Sequence, residues 1–257
     1  MSNVVVTGAS SGIGAALARL YARQRARLLL IGRDEARLAE VAAACAGEAA
    51  LVETARADVR ERAAMEAVLR DFDGRHPLDV VVANAGVTHI LAPGMPVEPA
   101  LDAERVFATN LIGAFNTIAP AAERMAARGA GRIGLVGSIA GLRALPYSPA
   151  YSASKAGLKA LGEAMRGNLR KYGVSVTVAS VGFVATPLDD GIASPKPFRL
   201  SAECAAERIA SAVASGRAHV AFPLPLAAAA RLLALLPPRL GDALLRRIPV
   251  SARKRDE

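Results

Sequence analysis

Tyr151 and Lys155 stand four residues apart, and Ser138 lies thirteen positions upstream of the tyrosine. On a helix over residues 149–171 this spacing puts the phenol and the ammonium one turn apart on the same face. A phenol with a pKa near ~10 is a reluctant acid or base at neutral pH. A cation fixed close by favours the phenolate, lowers that pKa and makes the tyrosine usable in proton transfer. Ser138 follows a predicted strand over Arg132–Gly137, which places its hydroxyl at a cleft rather than in a core. A carbonyl oxygen held there could take a hydrogen bond from the serine and a proton from the tyrosine. The missing ingredient is a hydride.

The N-terminus offers a place to hold its carrier. Val4-Val5-Val6 reads as a buried parallel strand that stops at Thr7-Gly8. Gly8-Ala9-Ser10-Ser11-Gly12-Ile13-Gly14 follows and opens a helix running to about Arg25. Glycines there let the backbone turn tightly and approach a pyrophosphate, whose charge then meets the helix N-terminus. The spacing is wider than G-x-G-x-x-G. An ordinary strand–helix turn, however, would not need three glycines and two serines.

The elements that must position these groups alternate along the chain. After the first strand and helix come strands at Leu28–Ile31, Ala50–Ala57, Asp79–Val82, Arg132–Gly137, Val174–Val181 and His219–Phe222. The intervening helices run to Cys45, over Glu61–Arg70, over Ala100–Arg128, over the Tyr151 segment and over Ser201–Ala214. This alternation predicts a parallel sheet covered by helices on both faces, with right-handed crossovers. No repeat or linker interrupts it, so residues 1–222 are expected to form one dinucleotide-binding and catalytic domain, and 223–257 a C-terminal helical extension.

Composition narrows the function. The chain has 257 residues, 53 % of them hydrophobic, enough for a sizeable core in one large domain. Its formal charge of +9 could serve nucleic acid, anionic lipid or an anionic cofactor. With no Trp and aromatics at 4 %, the stacking residues that nucleic-acid binding needs are scarce, and no nucleic-acid partner is expected. Cys45 and Cys204 are distant and form no CxxC pair, while His76, His89 and His219 lack partners at metal-ligand spacing, so no metal is expected. The absence of a signal-peptide pattern and of a run of about 20 apolar residues points to the cytoplasm.

Thr7-Gly8-x-x-x-Gly12-x-Gly14, Asp58, Asn84-Ala85-Gly86, Asn110, Ser138 and Tyr151-x-x-x-Lys155, in this order, resemble a short-chain dehydrogenase/reductase over residues 1 to about 222. The resemblance implies a seven-stranded parallel Rossmann sheet in the order 3-2-1-4-5-6-7. It implies that Gly8, Ser10, Ser11, Gly12, Ile13 and Gly14 cradle the cofactor phosphates, that Asp58 and the Val59 amide hold the adenine, and that Asn84, Ala85 and Gly86 back the cofactor. Ser138, Tyr151 and Lys155 are then catalytic, with Tyr151 and Lys155 also at the nicotinamide ribose. Asn110 becomes the fourth catalytic residue, holding a water that joins Lys155 to solvent. A dimer or tetramer through the long fourth and fifth helices is also implied. The family's usual Pro-Gly after the sixth strand is Val181-Gly182 here. Gly182, Val184 and Thr186 can still meet the nicotinamide, but losing the proline frees φ at Val181 and is expected to loosen the loop.

An NAD-preferring member of the family carries an acidic residue at the end of the second strand. That position falls on Gly32, followed by Arg33, whose guanidinium could pair with a 2′-phosphate; Asp34 is read as the cap of the next helix. NADP(H) is therefore the expected cofactor, and carbonyl reduction the expected direction.

Around the catalytic group the sequence is mostly apolar: Ile139, Leu142, Leu145, Pro146, Phe183 and Val184, with Val87 and Ile90 on another loop. Arg143, Tyr147 and His89 are the polar candidates for orienting a substrate, and residues 187–200 have the place of a substrate lid. The expected function is reduction of a small apolar ketone or aldehyde, with Tyr151 as general acid/base. Two alternatives remain. A binding protein could sense the nucleotide without turnover, although all four catalytic positions are retained. Or a reductase of a lipid-derived ketone could touch the membrane through residues 223–257. There Leu226–Leu236 is almost wholly apolar, Leu240, Leu244, Leu245 and Ile248 form a helical stripe, and Arg239, Arg246, Arg247 and Arg253-Lys254-Arg255 are basic. Packing of this extension on its own domain or on a second subunit is favoured, because amphipathic stripes usually face protein.

Overall fold

The computed structural model describes residues 1–92 and 94–252; the basic run Arg253-Lys254-Arg255 lies outside the described residues. Seven strands, β1 (Asn3–Thr7), β2 (Arg27–Gly32), β3 (Leu51–Arg56), β4 (Val80–Ala83), β5 (Gly131–Ser138), β6 (Val174–Val181) and β7 (His219–Phe222), form one sheet. Every pairing in it is parallel, and the spatial order is 3-2-1-4-5-6-7, as the resemblance implies. Central strands of such a sheet are covered on both faces and read as unbroken apolar runs. Val4, Val5, Val6, Leu28, Leu30, Ile31, Val81 and Val82 are accordingly fully buried.

Helices α1 (Gly12–Arg23) and α2 (Glu35–Ala46) cover one face of the sheet, and α3 (Arg62–Arg75) the other. The region predicted as one helix over Ala100–Arg128 is α4 (Ala100–Phe107), a π-helical turn over Ala108–Ile112, and α5 (Gly113–Arg128). Such inserted turns recur at functional sites, and this one carries Asn110. After it come α6 (Pro149–Leu169), the short α7 (Pro187–Asp190) and α8 (Ala202–Ala214), which returns to the face covered by α1. α3 runs five residues past the predicted Arg70, because Phe72 is buried and Arg75 pairs with Glu53 on β3 at 2.5 Å.

The sheet order reverses between β1 and β4, which opens a crevice at the carboxyl ends of the strands. Beyond β7 lie α9 (Leu224–Leu235) and α10 (Pro238–Leu245), separated where Pro237-Pro238 ends the first helix. The chain then returns to the segment after β6, where Ser251–Ala252 pairs antiparallel with Ile192–Ala193. Among the described residues no helix is long and apolar enough to cross a membrane.

Candidate active site

Gly8 and Gly12 adopt φ of 64° and 53°, a left-handed region open to glycine. A side-chain carbon on Gly14 would stand 2.1 Å from the Gly8 carbonyl oxygen, so α1 packs on the loop too closely for any other residue. The Asn84 amide holds the turn by donating to the Thr7 carbonyl at 3.0 Å, and the Thr7 hydroxyl accepts from the Asn84 and Ala85 amides. Gly8, Ser10, Ser11, Gly12 and Ile13 face a cavity of about 610 Å³; Gly14 stands behind them. This bare backbone at the start of α1 fits a dinucleotide pyrophosphate.

Ser138, Tyr151 and Lys155 line the same cavity. β5 ends at Ser138, whose hydroxyl accepts from the Ala140 amide at 3.1 Å and is thereby fixed. Pro149 starts α6 in its first turn, and the Glu98 carboxylate accepts the Ala150 amide at 2.6 Å, which anchors the helix beside Tyr151. Lys155 is 5 % exposed and donates to the Val136 carbonyl at 2.9 Å. Burial pulls its pKa down to about 8. Burial also raises the Tyr151 pKa, with the Ser138 hydroxyl pulling the other way and the Asp189 carboxylate adding to the rise. The expected lowering of the phenol pKa by Lys155 is therefore corrected for the free protein. The ammonium lies over the ring, 5.7 Å from its centroid, and burial dominates.

Asn110 lies behind Gly86 and Lys155: a side-chain carbon on Gly86 would stand 3.4 Å from Asn110 Oδ1 and 3.6 Å from Lys155 Nζ. The Asn110 amide braces the Val87 backbone in both directions and donates to the Ser154 hydroxyl at 3.0 Å. Ser154 is a partner that sequence reasoning missed, though it lies on the i+3 position from Tyr151. Val59 lines the cavity, held by Asn116, which donates to its carbonyl at 2.9 Å. Asp58 does not line it. Its carboxylate is forked by Arg60 at 2.7 Å and approached by Arg33 at 3.9 Å.

The loop after β6 is pinned rather than loosened. The Gly182 amide donates to Phe222, Ala185 to Leu200, and Leu200 back to Phe183. Gly182, Val184 and Thr186 line the cavity, and Thr186 abuts the phosphate loop: a side-chain carbon on Gly12 would meet its methyl at 2.9 Å. Of the polar substrate candidates, Arg143 and Tyr147 line the wall, but His89 does not; its ring turns toward Asp102 at 3.7 Å. Leu142 packs behind the wall instead of in it.

Leu226, Ala229, Ala230 and Leu233 of α9 line the cavity from above, with Leu245 and Ile248 beyond. Their spacing in α9 is one helix face. Ala227, Ala230 and Leu245 are buried, so the extension packs on its own domain. Burial of Leu245 alone contributes about 1.5–3 kcal/mol. Arg143 joins Asp242 on α10 at 2.7 Å, but Asp242 is about half exposed, and such a pair adds no more than about 1 kcal/mol. Packing therefore holds the hairpin, and the ion pair orients it.

Residues 2–196 match the short chain dehydrogenase family, and the chain belongs to it. It is an NAD(P)-dependent oxidoreductase of carbonyl and alcohol groups. An uncharacterised oxidoreductase of Myxococcus xanthus is 37 % identical over 248 residues, covering 95 % of this chain and 96 % of that protein. An NAD+-bound xylitol dehydrogenase superposes with a TM-score of 0.69 at 26 % identity, covering 72 % of this chain and 71 % of that one. A short chain dehydrogenase from Mycobacterium paratuberculosis bound to NAD superposes at 0.78 and 23 % identity, covering 88 % and 98 %.

The NAD+-bound xylitol dehydrogenase overturns the expectation of NADP(H), and with it the argument for reduction as the working direction. The side chains at the end of β2 supply the physical reason. Asp34 caps α2 by accepting the Arg37 amide at 3.0 Å, and it also lines the cavity, where its carboxylate would repel a 2′-phosphate. Its pKa is held low by hydrogen bonds from the Arg37 backbone and side chain. The Arg33 guanidinium lines the cavity as well, and reaches toward Asp58 at 3.9 Å. The cap and the wall proved to be the same residue.

Proposed function

We propose that this protein interconverts apolar ketones or aldehydes and the corresponding alcohols with NAD(H), using Tyr151 as the general acid/base. The observation that carries this is the convergence of Ser138, Tyr151 and Lys155 on one cavity with the glycine loop. Gly8, Ser10, Ser11, Gly12 and Ile13 would hold the pyrophosphate, Asp34 the adenosine ribose, Val59 the adenine, and Asn84, Ala85, Gly86, Gly182, Val184 and Thr186 the nicotinamide half. Bound NAD(H) supplies or accepts the hydride.

The chain's own groups do the rest. Ser138 donates a hydrogen bond to the substrate oxygen and fixes its direction. Tyr151 gives the proton to that oxygen in reduction and takes it back in oxidation. A phenol held protonated by burial is suited to the first role. Lys155 is placed to hold the ribose hydroxyls, and an anionic cofactor beside it favours its charged form. Asn110 keeps the Val87 and Ser154 segments together beneath this group. Exposed Leu101, Ile112 and Phe115 on the α4–α5 side suit a homodimer or homotetramer.

Ketones screened by loss of NADH absorbance should reveal turnover, with NADH bound more tightly than NADPH. Tyr151→Phe should lower turnover about 10²-fold or more while leaving NADH binding in place. Wild-type turnover in that variant would refute the mechanism.

Contact with an anionic membrane is a second reading, favoured by one observation. Leu224, Leu232 and Leu235 are exposed on the outer side of α9, and Arg231 and Arg239 are exposed among them. Co-sedimentation with anionic vesicles that salt abolishes would support it. Full-length protein left in the supernatant at low salt would dismiss it.

A further inference from the structure

The extension presents two different faces. Leu226, Ala229, Ala230 and Leu233 look into the cavity that holds Ser138 and Tyr151. Leu224, Leu232 and Leu235 look out. The cationic side chains of the hairpin, Arg231, Arg239, Arg246 and Arg247, are all exposed, and none lines the cavity. Ile90, Leu145 and Phe183 are also part of the wall. Arg143 is a charged group of the wall beside the hairpin, and Asp242 already neutralises it at 2.7 Å.

We propose that α9 and α10 form a hydrocarbon-binding roof, so that the substrate is a ketone or secondary alcohol with an extended aliphatic or alicyclic arm. This rests on the carbonyl reading above and adds the substrate class and the element that selects it. The polar end of such a molecule meets Ser138 and Tyr151, while its arm runs beneath α9, where Ala229 and Ala230 leave space between Leu226 and Leu233. Among the described residues of the hairpin itself no cation faces the cavity, and Arg143 beside it already has its Nη2 held by Asp242.

Three features keep the roof in register with the catalytic group. Arg143 follows the turn after Ser138 by only a few residues, so its bond to Asp242 ties α10 to the end of β5. Gly241 makes the seat for that guanidinium, since a side-chain carbon there would stand 2.8 Å from Arg143 Nη2. The backbone pairing of Ser251–Ala252 with Ile192–Ala193 joins the end of the extension to the lid.

The test is a series of linear methyl ketones, from butanone to decan-2-one, each assayed for its specificity constant (kcat/KM) with NADH. Wild type should gain about fourfold per added methylene until the roof is filled, the fold-change equivalent to ~0.8 kcal/mol per buried CH₂. Ala229→Leu should flatten that gain, and Leu233→Ala should move its plateau to longer ketones. Chain-length dependence that is absent, or identical in all three proteins, would overturn the roof. Failure to turn over any ketone or secondary alcohol would instead sink the carbonyl reading. Calorimetric titration of the NADH complex with decan-2-one then decides the roof alone: binding weakened by Ala229→Leu supports it, and no binding refutes it.

Discussion

The two ends of the cavity are built from opposite materials. At the cofactor end, glycines bring backbone within reach of a ligand: a single carbon on Gly14 would collide with Gly8, and one on Gly8 would stand 2.8 Å from Ala85 Cα. At the other end, leucines and alanines of one hairpin make a wall from side chains, over a small cluster around Ile139, Ala221, Ala227 and Ala230. At Gly8 and Gly14 the first surface tolerates no added carbon, because its shape there is the main chain. The second can change shape with each substitution while the helices stay in place. On the function proposed above, recognition of a common cofactor and selection of a particular substrate would be divided between rigid and adaptable parts of one pocket.

The sharpest break of this contrast is Gly14→Ala. We expect it to abolish NADH binding in a calorimetric titration and to destabilise the fold by about 1–3 kcal/mol, the cost of overpacking. Gly47→Ala is its control, because nothing stands within 4 Å of the added carbon and φ is −76°. That variant should be stabilised by about 0.4–1 kcal/mol. A Gly14→Ala protein that binds NADH normally would show that the loop is not the pyrophosphate seat.

Between the two ends stands Lys155, buried and with its pKa depressed to about 8 from an ordinary 10.5. From about pH 8 to 10.5 the unfolded chain binds the proton that the native chain has released, so the lysine's unfavourable contribution fades as pH rises. Lys155→Met should therefore unfold later than wild type by about 1–3 kcal/mol at pH 7. The advantage should shrink toward pH 10, and activity should be lost throughout. Urea titrations at the two pH values check this, and an equal difference at both would show that the charge is not the cause.

The smallest effect belongs to the roof. Asp242→Asn should cost less than about 1 kcal/mol in global stability, because the pair is partly solvated. It should nonetheless reduce the preference for long ketones over short ones. A large loss of stability with unchanged selectivity would reverse the roles assigned here to packing and ion pair.

Legibility in the sequence followed the same division. Val4–Val6, Gly8–Gly14 and Tyr151-x-x-x-Lys155 could be read because a strand end, a close backbone approach and a helical spacing each demand particular residue types. The sheet order and the strands β6 and β7 came out as expected. Asp34 was read only as a helix cap, since sequence position does not show that one carboxylate can cap a helix and line a cavity together. The π-helical turn at Asn110 was invisible for a related reason: one extra residue in a turn leaves the apolar pattern of a long helix almost intact. The phenol pKa was misjudged because the spacing of Tyr151 and Lys155 fixes their nearness but not their depth. His89 was one of three polar candidates for orienting a substrate, and its ring proved to face Asp102.

The pairing of Ser251–Ala252 with Ile192–Ala193 has a consequence for the order in which the molecule is made. Chains emerge from the ribosome N-terminus first, at about 5–20 residues per second. Every residue of the glycine loop, the sheet and the catalytic group has emerged before α9 does. A nascent chain can therefore fold a nucleotide site while its substrate chamber still stands open to solvent. Helices α9 and α10 close it on arrival, so on the reading proposed above this protein would be able to hold its cofactor before it could select a substrate.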